Sequence, residues 1–323
     1  MRKVKVLYLH QMTVQPYWQD VIVGAVGTCH DLRVFDDSRS VPEQFKNIEV
    51  VIDMGGSIGT RDMYDAATDV RLWQVYGTGL DHVDIDYMKS KGFIVCNCPG
   101  QFSSVALAEC ALMYILMLSR HFHQTQENFK NGICHQPMGK ELIGETLGII
   151  GFGASGRDLA LRARPLGLKI MGIDVRKIED EVLDEINPEF MGTPDDIDKV
   201  VAESDYLSLH LHLNDQTRHI LDARRIALMK PTACIINIAR GALVDEDAMH
   251  QALLAGKLGG AGLDVFSAEP PDATCEVYQL PNVIATPHIS GGTDGTARKR
   301  ARACAENVDR IANGQEPLYR VDQ

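Results

Sequence analysis

The eight cysteines of this 323-residue chain form no pattern. Apart from Cys96 and Cys98 they stand singly, with no second pair at ligand spacing and no framework of the kind that staples small secreted domains. This argues against a structural zinc site or any other metal, and it implies reduced thiols. Long apolar runs are also missing. The longest, VALAECALMYILML at 105–118, is too short for a bilayer and carries Glu109, so it reads as a buried helix. The amino terminus, MRKVKVLYLH, has too little apolar length for a secretory signal, and the expectation is a cytoplasmic protein. Positive charge is not in excess: 32 basic side chains face 44 acidic ones, for a net charge of −12. That balance argues against nucleic acid or an anionic membrane as partner. The basic group Arg298, Lys299, Arg300 and Arg302 is expected to form the solvated face of a C-terminal helix.

What the chain does contain is alternation. Its length allows two domains with separate cores, and 45% hydrophobic with 24% charged residues suits a soluble globular protein. KVKVLYL, DLRVF, IEVVIDM, RLWQVY and GFIVCN are short β-branched or aromatic runs. Polar, helix-compatible stretches such as PEQFKN and TRDMYDAAT lie between them, a spacing that predicts βαβ units on a parallel sheet. A long helical pattern over 102–129 follows. Then TLGIIGF, LKIMGIDV, YLSLHL, ACIINIA, GGAGLDV and NVIATP resume the alternation as near-continuous apolar runs, expected of strands covered on both faces. A last helix is predicted over 292–312, and the proline-rich loop SAEPPDATCEVYQLPN is expected to carry function. Tyr17 and Trp18 are expected to pack.

LGIIGFGASGRDLA, residues 147–160, places Gly151, Gly153 and Gly156 as G-x-G-x-x-G between an apolar strand and a helix. The first glycine permits the tight turn, the second lets backbone approach a pyrophosphate, and the third allows close helix–strand packing. Phosphate then meets the helix N-terminus. Eighteen positions beyond Gly156, Asp174 ends the next strand, where a carboxylate accepts from the adenosine ribose and repels a 2′-phosphate. The cofactor expected is NAD, with Arg176 and Lys177 the residues that keep NADP open. The fold class is therefore α/β, with two Rossmann-like, doubly wound parallel-sheet domains separated by a cleft.

Three further residues stand just past apolar strands: Arg240 in CIINIARGALVDEDA, Glu269 in GLDVFSAEP and His288 in TPHISGG. In a doubly wound sheet, strand carboxyl ends converge on one crevice. The trio suits hydride transfer to a 2-keto acid. An arginine fork grips a carboxylate and polarises the carbonyl, a histidine exchanges the proton, and a glutamate holds the ring.

These motifs, together with VYGTGLDHVDI at 75–85 and SLHLHLNDQTRHI at 208–220, make the chain resemble the D-isomer-specific 2-hydroxyacid dehydrogenases over nearly its whole length. The resemblance implies Arg240 as substrate-binding residue, Glu269 as its acidic partner in the trio, and His288 as general acid/base. It places Gly77 and Thr78 in the loop whose amides meet the substrate carboxylate. Gly153, Ala154 and Ser155 fall at the pyrophosphate turn, Asp174 on the ribose, and His210 and Thr217 in cofactor-flanking loops. Ile238, Ala239, Asp264 and Gly291 fall around the nicotinamide. The family pattern implies a substrate domain of 1–100 plus 293–323 and an NAD-binding domain of 101–292, with a homodimer formed through the latter.

Departures from the family pattern narrow the substrate. Met54 stands where phosphoglycerate enzymes carry an arginine, which argues for an unphosphorylated acid such as glyoxylate, hydroxypyruvate or a branched analogue. Phosphoglycerate dehydrogenase and a dinucleotide-sensing corepressor-like scaffold are the alternatives. His212 and Asp215 replace loop prolines, implying either a looser loop or a cofactor contact by His212, and Ser155 replaces a common isoleucine. Glu109 is expected to pair at the domain junction, and His121 and His123 to sit favourably near a helix end.

Overall fold

Side chains that alternate between two faces build both sheets of this protein. A computed structural model describes residues 2–11, 15–55, 59–81 and 83–323. The chain begins with β1 (Lys5–Leu9), α1 (Pro16–Gly27), β2 (Asp31–Val34), α2 (Val41–Phe45), β3 (Val50–Asp53), α3 (Arg61–Ala66), β4 (Leu72–Val75), α4 (Ile85–Ser90) and β5 (Ile94–Cys96). It continues through α5 (Ser104–Ser119), α6 (Phe122–Lys130), β6 (Thr146–Ile150), α7 (Ala154–Ala163), β7 (Lys169–Ile173), α8 (Asp180–Ile186), β8 (Phe190–Gly192) and α9 (Ile197–Glu203). The remainder is β9 (Tyr206–Leu209), α10 (Ala223–Ile226), β10 (Cys234–Asn237), α11 (Glu246–Leu254), β11 (Gly260–Leu263), β12 (Val283–Ala285) and α12 (Asp294–Ala312).

Residues 1–102 and 292–323 form one compact unit and residues 103–291 the other. The first holds a parallel sheet in the order β2-β1-β3-β4-β5. Val6 and Tyr8 of β1, with Val50 and Ile52 of β3, enter one core with α1 and α12. Leu7, Leu9 and Val51 enter the other, around Trp73. That period of two, with both faces covered, is why these strands read as unbroken apolar runs. Trp18 packs edge-on against Tyr76 at 5.5 Å, while Tyr17 stays exposed and its hydroxyl accepts from Arg298. Within the segment IDMGGSIGT, residues 56–58 lie outside the described residues, as does His82 of the segment 75–85.

The second unit holds seven parallel strands in the order β12-β11-β10-β9-β6-β7-β8. Chain order reverses between β6 and β9, and the crevice at such a switch point is where doubly wound sheets take ligands. Again each face has its own core: Leu147 and Ile149 of β6 pack on one, Ile150 and Ile235 on the other. Two elements differ from expectation. The helical pattern over 102–129 is two helices, because His121 adopts a left-handed conformation (φ 49°) and breaks the hydrogen-bond ladder. The seventh strand, Phe-Met-Gly, is three half-buried residues with no apolar run to announce it. Among the described residues no single helix is long and apolar enough to cross a membrane. The pair α5 and α6 passes by length and composition only, and bends by 56°.

Candidate active site

The turn after β6 has the geometry its glycines predict. Gly151 has φ 96°, and a Cβ there would lie 2.5 Å from the His210 carbonyl oxygen. Gly156, in the first turn of α7, passes so close to strand β6 that a Cβ would stand 2.2 Å from the Gly151 oxygen. Gly153 caps α7 with no side-chain acceptor, so the amides of a ten-residue helix open onto the turn. An anionic pyrophosphate fits this cradle: backbone donors, a positive helix end and no Cβ at Gly153. Ala154 and Ser155 begin the helix.

Ser155 is tied into a short polar chain that its departure from the family pattern did not suggest. His210, one residue past β9, contacts the Ser155 hydroxyl through Nδ1 and the Ser208 hydroxyl through Nε2, both at 2.9 Å. Desolvation pushes the imidazole down to about 3, so it is neutral in ordinary buffers. His210 and His212 follow the end of β9. The loop that follows is not loose. Asn214 Oδ1 accepts from the amides of Gln216 and Thr217, and the Thr217 hydroxyl donates to the His212 carbonyl at 2.7 Å.

Asp174, directly after β7, is buried. Burial pushes its carboxyl up, but the Arg176 guanidinium and the Arg176 and Phe152 amides outweigh this and hold it below the usual range.

Arg240, Glu269 and His288 follow adjacent strands β10, β11 and β12, all parallel, so the strand exits lie side by side. After β10, Ile238 and Ala239 are buried, and Arg240 extends from a backbone held by Asn237, whose amide donates to the Arg240 carbonyl at 2.9 Å. After β11 comes Asp264, fully buried, and its carboxylate is turned to the next loop. Oδ1 accepts from the Ile289 amide at 2.7 Å and the Thr286 hydroxyl at 2.5 Å, and Oδ2 accepts from the Ser290 amide at 2.7 Å. Its side chain shapes the turn that carries His288. That turn is tight: His288 has φ 54° and donates its amide to the Asp264 and Thr286 carbonyls. Tyr114 of α5 buttresses it through the Thr286 hydroxyl.

His288 and Glu269 meet directly, Nδ1 to Oε2, at 2.7 Å, and Oε1 of Glu269 accepts from the Phe266 amide at 3.1 Å. An ionised carboxylate only accepts, so Nδ1 carries the proton and Nε2 faces outward. The Arg240 and Glu269 loops touch at Gly241, where a Cβ would sit 1.9 Å from the Phe266 carbonyl carbon. Gly291 lies beside Leu107 and Ser103.

Gly77 and Thr78 belong to the first unit, in the loop after β4. Gly77 accepts from the Cys98 amide, and the Thr78 carbonyl from the Asn97 side chain at 2.8 Å. Arg300 is the residue whose position the sequence reading missed. It leaves the solvated face, donates Nη2 to the Thr78 hydroxyl at 3.0 Å, and lies over the Trp18 ring at 5.9 Å. Helical phase was the available signal, since Arg300 falls between Ala297 and Cys304 on the buried stripe of α12. Met54 is core, packed in the first unit.

Residues 112–290 match the model of the D-isomer specific 2-hydroxyacid dehydrogenase NAD-binding domain. The chain belongs to that family. It is 37% identical over 277 residues to a hydroxypyruvate reductase of Thermotoga maritima, covering 84% of this chain and 85% of that one. A D-3-phosphoglycerate dehydrogenase of Methanocaldococcus jannaschii is 35% identical over 275 residues, covering 84% of this chain, but the match spans only 51% of that longer protein. The crystal structure of D-lactate dehydrogenase from Aquifex aeolicus, complexed with NAD and lactic acid, superposes with a TM-score of 0.81 at 27% identity, covering 98% and 99% of the two chains. The protein is thus a member of a family of NAD-binding oxidoreductases of 2-hydroxy acids.

Proposed function

We propose that this protein reduces a small, unphosphorylated 2-keto acid to the D-2-hydroxy acid with NADH, and runs the reverse reaction. The observation that carries the reading is the His288–Glu269 pair, 2.7 Å apart and set on neighbouring strand ends from Arg240. Arg240 grips the substrate carboxylate with its planar fork and polarises the carbonyl at C2. When bound, the nicotinamide supplies a hydride to C2. His288 then gives its Nε2 proton to the oxygen that becomes the alcohol, and takes it back in the oxidative direction. Glu269 holds Nδ1–H and fixes the ring. Gly151, Gly153, Ala154, Ser155 and Gly156 hold the pyrophosphate, and Asp174 the adenosine ribose. The loops at His210, Thr217, Ile238, Ala239, Asp264 and Gly291 line the rest of the dinucleotide path.

On this reading the unit 103–291 is the dinucleotide-binding domain and the other is the substrate domain, with Gly77 and Thr78 offering backbone donors. Met54, apolar and packed in the core, leaves that position without a cation for a phosphate. A homodimer is supported by the apolar side chains on the arm after α5: Phe129, Ile133, Met138 and Ile143 are all exposed. The working place assigned is the cytoplasm. The test is NADH oxidation with glyoxylate, hydroxypyruvate, 4-methyl-2-oxopentanoate and 3-phosphohydroxypyruvate. Turnover of an unphosphorylated acid with little of the phosphorylated one is expected. Preference for the phosphorylated substrate contradicts the substrate class, and binding of NADH without turnover of any acid contradicts the enzyme reading.

A further inference from the structure

Within the first unit, the loop after β4 is held at several points. The Tyr76 hydroxyl donates to the Ala297 carbonyl at 3.0 Å, and the Gly77 carbonyl accepts from the Cys98 amide at 2.9 Å. The Thr78 carbonyl accepts from the Asn97 side chain at 2.8 Å, and its methyl stands 3.9 Å from the place a Cβ on Gly100 would take. Its hydroxyl oxygen accepts from Arg300 Nη2 at 3.0 Å. Ala297 and Arg300, three residues apart, share one face of α12, so the helix grips the loop twice. The Thr78 amide and the Thr78 hydroxyl proton meet no acceptor among the described residues. Both remain for a ligand.

We infer that Arg300 is a positioning residue for the keto acid: it aims and polarises the Thr78 hydroxyl, which donates to the substrate carboxylate beside the loop amide. The inference rests on the reading of this loop as the carboxylate site. Packing alone does not call for a cation here. Ala297, Ala301, Cys304 and Val308 make the buried stripe of α12, while the neighbouring Arg298, Lys299 and Arg302 all stay exposed. Arg300 instead turns inward, over the Trp18 ring at 5.9 Å, and the Cys98 thiol donates to its carbonyl at 3.9 Å. Burial pulls its pKa down, against the pull of Cys98, Tyr76 and Cys304, and a guanidinium keeps its charge throughout. Desolvating that charge costs stability, which a use in binding an acid explains. A hydroxyl that accepts from a cation is a stronger donor, because hydrogen bonds in a chain polarise one another. Every proton of the relay Nη2–H···Oγ1–H then points the same way, from the guanidinium through Thr78 to the carboxylate. Asn97 fixes the Thr78 backbone and Arg300 its rotamer.

The experiment measures kcat and KM for glyoxylate and hydroxypyruvate at saturating NADH, with melting temperatures, for wild type, Arg300→Met, Arg300→Lys, Thr78→Val and the double variant Thr78→Val/Arg300→Met. Each single loss of the relay should raise KM for the keto acid by about tenfold, the scale of one charge-assisted hydrogen bond. The value of kcat and the dissociation constant of NADH should stay close to wild type, the mark of a contact equal in ground and transition states. Lysine still offers a charged donor to the hydroxyl and should recover most of the loss. The double variant should be no worse than Thr78→Val, because Arg300 acts only through that hydroxyl. An unchanged KM in either Thr78→Val or Arg300→Met overturns the proposal, and so does a double variant whose loss is the product of the two single losses. If Arg300→Met does not fold, Thr78→Val and Arg300→Lys still decide: unchanged KM in the first, or no recovery in the second, overturns it. Wild type that turns over neither acid overturns the functional reading beneath, and the relay with it.

Discussion

At the scale of single residues, the way His288 is presented decides what the site can do. Its backbone is left-handed, its amide is held by two carbonyls, and its Nδ1 is held by Glu269, so the ring has one orientation. Arg240→Lys keeps the charge and loses the fork. It should lower kcat/KM for the keto acid by about 10²-fold, the cost of a misplaced substrate. Steady-state kinetics checks this, and near-native turnover would remove Arg240 from its role. That Arg240, Glu269 and His288 follow neighbouring strands was legible because each comes after an apolar run. The hydrogen-bond partners of Asp264 and Arg300 were not. A carboxylate after a strand says nothing of which way it turns, and a cation in a basic cluster says nothing of helical phase. The structure turns the first onto three donors of the His288 turn and the second onto Thr78.

At the scale of elements, close approach decides what the loops tolerate. Gly241→Ala places a methyl against the Phe266 carbonyl and must part the Arg240 and Glu269 loops. Overpacking of that kind costs about 1–3 kcal/mol. A lower melting temperature together with reduced kcat is the expected outcome, and a variant with wild-type melting and turnover would show the loops free to separate. Strands were legible wherever both faces are covered, because the apolar run is then continuous. β8 was not, since three half-buried residues make no run. The break between α5 and α6 was hidden for another reason. A left-handed histidine leaves no mark in hydrophobic periodicity, whereas the glycine turn at 151–156 announces itself by composition.

At the scale of the whole molecule, His210 links folding to pH. Its folded form titrates at about 3, against an ordinary 6.5. The unfolded chain therefore binds a proton that the folded chain refuses. This contribution to stability is complete above pH 6.5 and is lost as pH falls towards 3, at up to about 1.4 kcal/mol per pH unit. Urea unfolding of wild type and His210→Asn at pH 7.5 and 5.5 checks this: wild type should lose more stability on acidification than the variant. Equal losses would show the imidazole reachable by protons in the folded state. The central claim is proton transfer by His288, and the pH profile of kcat/KM for keto-acid reduction, in wild type and His288→Ala, tests it most directly. Wild type should lose rate at high pH, where the proton that reduction consumes is scarce. The variant should be slower by about 10²–10⁴-fold and lack that limb of the profile. A variant that keeps near-native rate, or the same limb, would contradict the account.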